Sequence, residues 1–400
     1  MSLDNHVEDL VTRIHATPHK AVLAFAGAGS QALTWLHAVG GSSRTILSAI
    51  DIYSSQSMNH LLGFMPAKFT SRRVARLMAA AANDLARTYT LAADVPVGEM
   101  APGVTTYPYF GLGSTATIAT DRTKRGEHRV ATAVHDSFGT SRYALTIHKG
   151  ARERAGEEEL VSLVILRAVA DACGVFAAPA LPLEPGEELQ QSYRPSELLQ
   201  AVEQGRREMV VVRPDGRIVT GDDIGPRAVL SGSFNPVHRG HLELASVAAD
   251  RAGLPAMFEL PLLNAAKAPI ALHEARKRAL QFGGVAPVAL TRSPLFEEKA
   301  RLFPGSVFVV GVDTAERVLD ERFYGGQRSR MLASLEQIRA ASCSFLVAGR
   351  ERDGNFKTLT QVAIPPGFHD LFAALEEDDF RNDVSSTEIR QGWQQGHASR

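Results

Sequence analysis

The strongest constraint on this chain is the regular alternation beyond residue 225. RAVLSGSF, AMFELPLL, VAPVALT, SVFVVGV and CSFLVAGR read as short apolar strands, and GHLELASVAADRAG, LHEARKRALQFGG and AERVLDERF read as helices set among them. Strands alternating with helices of this length need crossover connections and therefore a parallel sheet. A ligand of such a sheet sits beyond the carboxyl ends of the strands, where the helices begin. The residues just after each strand are therefore the ones to inspect, and a last helix is predicted at TEIRQGW.

The composition changes near residue 175, where CGVFAAPALPLEPGEELQQSYRP sets Pro179, Pro182, Pro185 and Pro195 among several acids. That is the signature of a linker. The reading divides the chain into a domain at 1–175, a Pro-rich linker at 176–225 and a second domain at 226–400. Within the linker SELLQAVEQGRRE predicts a short helix, and MVVVRPDGRIV predicts a hairpin turning at Pro214-Asp215-Gly216. The first domain is mixed α/β: KAVLAFAGAG is a buried strand entering a glycine turn, SQALTWLHAVGG and FTSRRVARLMAAAANDLARTY are helices, STATIAT, HRVATAVH and RYALTIHKG are strands, and EEELVSLVILRAVADACG is the closing helix.

The 43 Lys and Arg balance 44 Asp and Glu to a net charge of -1, which excludes the broad basic surface of a general nucleic-acid binder. Phosphate chemistry must then be local. Cys173 and Cys343, the only two cysteines, lie in different halves of the chain, so neither a disulfide framework nor a cysteine-ligated zinc site is expected. The start MSLDNHVEDLVTRIH has no apolar core of signal-peptide type, and nowhere do about 18 apolar residues run together. A cytoplasmic protein without membrane contact is expected.

The most specific string is SGSFNPVHRGHLELA. Gly232 and Ser233 fall in the turn from strand to helix, Asn235-Pro236 sets the turn, and His238 and His241 stand three apart at the helix start, where helical geometry would aim both rings toward one face. The free N–H groups of a helix N-terminus favour an anion, by about 0.3–1 kcal/mol per charge when exposed. Two imidazole donors added there make a site for a polyphosphate. Taken alone, a pair of histidines near a helix start is as readily a surface cap. A zinc site would need a third or fourth ligand, and this stretch supplies none.

The complete string GSFNPVHRGH resembles the signature of the nucleotidylyltransferase superfamily with the HxGH motif. Three further segments are similar to that superfamily in the expected order. DVSSTEIRQG, residues 383–392, resembles its C-terminal motif, which implies that Ser385, Ser386, Thr387 and Arg390 hold the β- and γ-phosphates; Ser385 with Glu388 is also an ordinary capping box. LPLLNAAKAP resembles the segment in which the pyridine-nucleotide branch carries an asparagine and a lysine, here Asn264 and Lys267. FVVGVDTAERV resembles a G-x-D motif that implies ribose and base contacts from Gly311 and Asp313, and Arg350 stands at the end of FLVAGR, where that superfamily often has an arginine.

The reaction this implies is attack by the phosphate of a mononucleotide on the α-phosphorus of a triphosphate, which needs positioning and charge stabilisation more than a protein nucleophile. His238, His241, Lys267 and Arg390 would be the catalytic groups; Gly232, Ser233 and Phe234 would hold nucleotide, Mg²⁺ would bridge the phosphates, and no metal site built from protein ligands is expected. GSFNP, the N-x-x-K segment and SSTEIR are similar to nicotinamide and nicotinate mononucleotide adenylyltransferases, more than to cytidylyltransferases. ATP and a pyridine mononucleotide are thus the implied partners. The same chemistry with another phosphorylated acceptor or with CTP stays open, as does a sensor that binds pyridine nucleotides without turnover.

The first domain carries GGSSRTILSAIDIYSSQSMNHLLGF, in which Gly41, Ser42, Ser43, Tyr53, Ser54 and Leu61-Leu62-Gly63 fall in place. It resembles the C-terminal domain of the competence-damage-inducible CinA family, which can deamidate nicotinamide mononucleotide and tends to form oligomers. The departures fall on the chemistry. Gly27 and Ala28 stand where that family has a glutamate and the nucleophilic serine, and Met58 replaces its lysine. The resemblance implies a degenerate amidase domain that binds or assembles, unless Ser30 or Ser42 substitutes. The expected architecture is α/β throughout: a CinA-C-like mixed domain followed by a Rossmann-like nucleotidylyltransferase domain with a parallel sheet.

Overall fold

The structure, a computed structural model, describes residues 4–93, 107–121, 125–176, 178–222, 224–263, 268–352, 355–375 and 380. The chain folds as two compact units: Met1–Glu197 with Pro214–Arg217 and Gly283–Val285, and Leu198–Arg213 with Ile218–Phe282 and Ala286–Arg400.

The first unit holds one sheet of six strands: β1 Lys20–Ala26, β2 Ile46–Asp51, β3 Tyr109–Thr117, β4 His128–Asp136, β5 Gly139–Ile147 and β6 Gln190–Pro195, in the order β2-β1-β3-β4-β5-β6. β1 runs parallel to β2 and β3, and the pairs from β3 to β6 are antiparallel. The helices are α1 Asn5–His15, α2 Ser30–Ala38, α3 Ser42–Thr45, α4 Ser55–Leu62, α5 Arg72–Ala93 and α6 Arg154–Ala172. α5 sits close on the sheet because the residues that meet there are small, Ala75 and Ala79 against Ala131 and Ala133. On the other face Val161, Val164 and Ile165 of α6 pack with Leu23, Phe110 and Leu112.

The second unit holds a sheet of eight strands: β7 Met209–Val212, β8 Ile218–Val219, β9 Ala228–Ser231, β10 Ala256–Pro261, β11 Val288–Thr291, β12 Val307–Gly311, β13 Ser344–Ala348 and, after a small ribbon of β14 Arg350–Arg352 with β15 Asn355–Lys357, β16 Phe372–Leu375. Its order is β16-β13-β12-β9-β10-β11-β7-β8. The six strands from β16 to β11 are mutually parallel, and β7 and β8 add on antiparallel. The helices are α7 Glu197–Glu203, α8 Arg239–Ala252, α9 Leu272–Leu280, α10 Phe296–Leu302, α11 Val312–Val318 and α12 Arg328–Ala340.

Side chains alternate across each strand, so neighbouring residues enter different layers. Met257 joins Phe308 and Phe345 in one core, whereas Phe258 packs with Phe234 and Phe282 on the other side. Residues 176–225, read from the sequence as a linker, hold α7 and the β7–β8 hairpin, and also β6. Each of these three strands joins a sheet. The helix predicted at TEIRQGW lies outside the described residues. In this unit the sequence did not announce α10, which precedes β12, or α12, which precedes β13.

Candidate active site

β9 ends at Ser231, and the next seven residues form the turn into α8, with His238 as the helix N-cap. The turn is unusual at Phe234, whose φ of 44° lies in the left-handed region. That conformation costs a non-glycine residue about 1–3 kcal/mol. The ring more than offsets it: Phe234 is fully buried and meets Phe258, Phe282 and His241 edge-on at 5.4, 5.1 and 5.2 Å. Burial of a phenylalanine is worth about 1.5–3 kcal/mol, and each such ring contact adds about 0.5–1.5. Gly232 is tied to the same ring, since a Cβ there would stand 2.7 Å from two of its atoms.

The end of α9 clamps this turn. Gln281 donates through Nε2 to the Phe234 carbonyl at 3.1 Å and accepts from the Val237 N–H at 2.9 Å, and the Arg278 guanidinium donates to the Ser233 carbonyl at 3.1 Å. Gln281→Ala would leave the Val237 N–H without this partner. Losing these two hydrogen bonds is expected to cost about 1–3 kcal/mol, measured by thermal unfolding, and to speed hydrogen exchange in peptides spanning the turn. Unchanged exchange there would show that the clamp does not position the turn.

The two predicted histidines are brought together as a stacked pair, with ring centroids 3.7 Å apart and planes 29° apart. The His238 backbone N–H donates to His241 Nδ1 at 3.3 Å. An accepting Nδ1 places the proton of a neutral ring on Nε2. Burial, and then the neighbouring His238 ring, holds His241 down at about 4, and burial lowers His238 as well. Both are therefore neutral donors at pH 7. Protonation is easier in the unfolded chain, so the His241 contribution to stability is present above the ordinary value of 6.5 and is lost as the pH falls toward 4. Nitrogen-detected NMR titration should find His241 as the Nε2–H form at pH 7 with a midpoint below 5. An Nδ1–H ring, or a midpoint near 6.5, would remove this account of the pair.

Other predicted residues distribute as follows. Gly232 and Ser233 form the turn at the carboxyl end of β9, and Ser233 is exposed. Gly311 is the N-cap of α11 and Asp313 lies in its first turn. Arg350 reaches Asp313 across 3.2 Å, with side chains 58% and 32% exposed. A pair this open contributes about 0–1 kcal/mol, so a ligand can part it at little cost. Asn264, Lys267, Ser385, Ser386, Thr387 and Arg390 lie outside the described residues. Among the described residues no group of three or more His, Cys, Asp or Glu could hold a metal ion.

A buried polar network beside the turn escaped the sequence reading. Glu259 of β10 and Lys299 of α10 pair at 2.7 Å with side chains 0% and 4% exposed. Ser231 joins both, its hydroxyl 2.5 Å from Glu259 Oε2 and accepting from Lys299 at 3.1 Å, and Thr291 donates to the other carboxylate oxygen. A lone acid in the apolar run AMFELPLL was the signal available, because a buried carboxylate needs partners.

In the first unit the positions matching the amidase-like motif carry little reactive chemistry. Gly27 has φ of 90°, and a Cβ there would meet the Ala116 carbonyl at 2.2 Å. The start of α2 is occupied from within: Glu158 accepts from the N–H groups of Gly29 and Gln31 at 2.8 and 3.3 Å and from the Ser30 hydroxyl at 3.1 Å. Ser42 lies 2.7 Å from His37 Nδ1, and among the described residues no carboxylate is bonded to that histidine.

Paired imidazoles thus stand in the turn between strand and helix, at the carboxyl end of a central parallel strand. Residues 229–392 match the family of cytidylyltransferase-like domains, and the second unit is a nucleotidyltransferase domain. A curated relative described as "Probable nicotinate-nucleotide adenylyltransferase", from Gloeobacter violaceus, is 29% identical over 180 residues, covering 42% of this chain and 84% of the relative. Solved structures similar to this chain include the competence/damage inducible protein CihA from Agrobacterium tumefaciens (18% identity, 42% of this chain and 95% of that one, TM-score 0.30) and a competence-damaged protein (CinA) superfamily protein from Enterobacter cloacae (14% identity, 43% and 96%, TM-score 0.31).

Proposed function

We propose that the protein joins ATP to a pyridine mononucleotide, giving the dinucleotide NAD or its acid form and pyrophosphate. The observation that carries this reading is the stacked His238–His241 pair at the N-terminus of α8, neutral and so able to donate, next to the Gly232–Ser233 turn. An oxygen of the mononucleotide phosphate forms the new bond to the α-phosphorus. The bond to the bridging oxygen breaks, and its electron pair leaves with pyrophosphate. The attacking oxygen is already ionised, so no side chain has to remove a proton. His238 and His241 donate to the α-phosphate as its charge redistributes. Lys267 and Arg390 neutralise the triphosphate, with Ser385, Ser386 and Thr387 at its far phosphates and Asn264, Gly311, Asp313 and Arg350 around the nucleosides. Mg²⁺ bound to the triphosphate as part of the substrate would screen its charge, since such a cation keeps phosphate and water ligands. The name of the Gloeobacter violaceus relative supports the same acceptor class.

The first unit is proposed to bind or assemble rather than to catalyse, a reading supported by the filled backbone at Gly27 and the internal Glu158 cap.

The test is product formation by the purified chain with Mg²⁺, ATP or CTP, and either mononucleotide. Dinucleotide and pyrophosphate in equal amounts, from ATP alone, are expected. Turnover with CTP and a different phosphorylated acceptor would move the assignment to that substrate. ATP binding without pyrophosphate release, across all acceptors, would make the chain a sensor.

A further inference from the structure

The cavity beside the histidine turn, about 210 Å³, opens between the carboxyl ends of β9 and β10 and the helices α10 and α11. Gly232 and Ser233 form one part of its wall, and Phe296 and Tyr324 give it an aromatic side. Both rings are fixed: Phe296 meets Phe308 and Phe345 edge-on at 5.3 and 5.2 Å, and the Tyr324 hydroxyl donates to the Val318 carbonyl at 2.9 Å.

Two cations line this cavity, Lys299 and Arg317. They are not equivalent. Lys299 is held at 2.7 Å by the buried Glu259 carboxylate, so its charge is compensated before any ligand arrives. Arg317 has no ion-pair or side-chain hydrogen-bond partner among the described residues, and the acids among those residues that line the other cavity walls number none. It stands six positions after Gly311, about 9 Å along the helix axis at ~1.5 Å per residue.

We infer that Arg317 reads the pyridine substituent, so that the acid form of the mononucleotide is the preferred acceptor; this rests on the adenylyl-transfer reading above. The reacting phosphate must lie at the Gly232–Ser233 turn beside the histidines, and the ribose then carries the pyridine ring away from that turn toward the aromatic wall. A guanidinium matches a carboxylate with two parallel hydrogen bonds. A carboxamide offers it one acceptor oxygen, and its NH₂ group is a donor turned toward a cation. The compensated Lys299 adds no such preference.

The test is kcat/KM for the acid and amide mononucleotides with wild-type protein and Arg317→Gln, together with calorimetric binding of each mononucleotide. The wild type should favour the acid, and the substitution should reduce the acid-to-amide ratio by about ten- to a hundredfold, the loss of a charged hydrogen bond. Equal losses for both acceptors would place Arg317 on their common phosphate and overturn the inference. If neither acceptor is turned over, the adenylyl-transfer reading fails on its own. Calorimetry then decides separately, and equal binding of acid and amide by the wild type overturns the role of Arg317.

Discussion

His241→Ala is expected to lower turnover about a hundred- to a thousandfold, the usual consequence of removing one preorganised donor from a developing charge. The reason lies in how the ring is prepared before substrate arrives. Its proton is fixed on Nε2 by the His238 N–H, its face is stacked on His238, and its edge is packed against Phe234. No reorganisation is left for the chemical step. His238→Ala should cost a similar factor, and the double variant should lose less than the product of the two, because the rings act as a unit. Initial rates of pyrophosphate release, beside circular dichroism of each variant, would measure this. A folded His241→Ala protein with more than about a tenth of the wild-type rate would remove the pair from the chemistry.

Lys299→Met should destabilise the second unit severely. It leaves the Glu259 carboxylate buried with only the Ser231 and Thr291 hydroxyls, and breaking one side of a buried pair costs about 3–5 kcal/mol. Surface pairs such as Arg239 with Glu243 should cost about 1 kcal/mol or less. Replacing both partners by apolar residues, Lys299→Met with Glu259→Leu, should recover most of the loss, since the penalty comes from the orphaned charge. Hydrogen exchange of peptides spanning 226–262 reads the effect locally. If the single and double variants lost equal protection there, the pair would be a packing feature and not an electrostatic one.

The turn was legible because its information is local: GSFNPVHRGH places a strand end, a turn and a helix start within ten residues. The parallel sense of β9, β10, β11, β12 and β13 followed equally from the alternation. What the sequence could not convey depends on partners far along the chain. Gln281 holds a turn more than forty residues before it, and Lys299 meets Glu259 forty residues away. The left-handed backbone at Phe234 was equally hidden, because it is the surrounding rings that make it tolerable. α10 and α12 were missed for a different reason: α10 is a single seven-residue stretch with four charged residues, and in α12 Arg328, Arg330, Glu336 and Arg339 are interleaved with the buried Met331, Leu335 and Ile338, so the apolar period stands out little.

The antiparallel addition of β7 and β8 beyond β11 also determines how this sheet can meet other molecules. A parallel sheet ending at β11 would offer a row of free N–H and C=O groups as a template for strand addition. Instead the row is consumed by β7, and the outermost strand on that side, β8, is only two residues long. Self-association by continuous backbone pairing has almost nothing to grip at this border. Copies of the second unit that meet along it must do so through side chains.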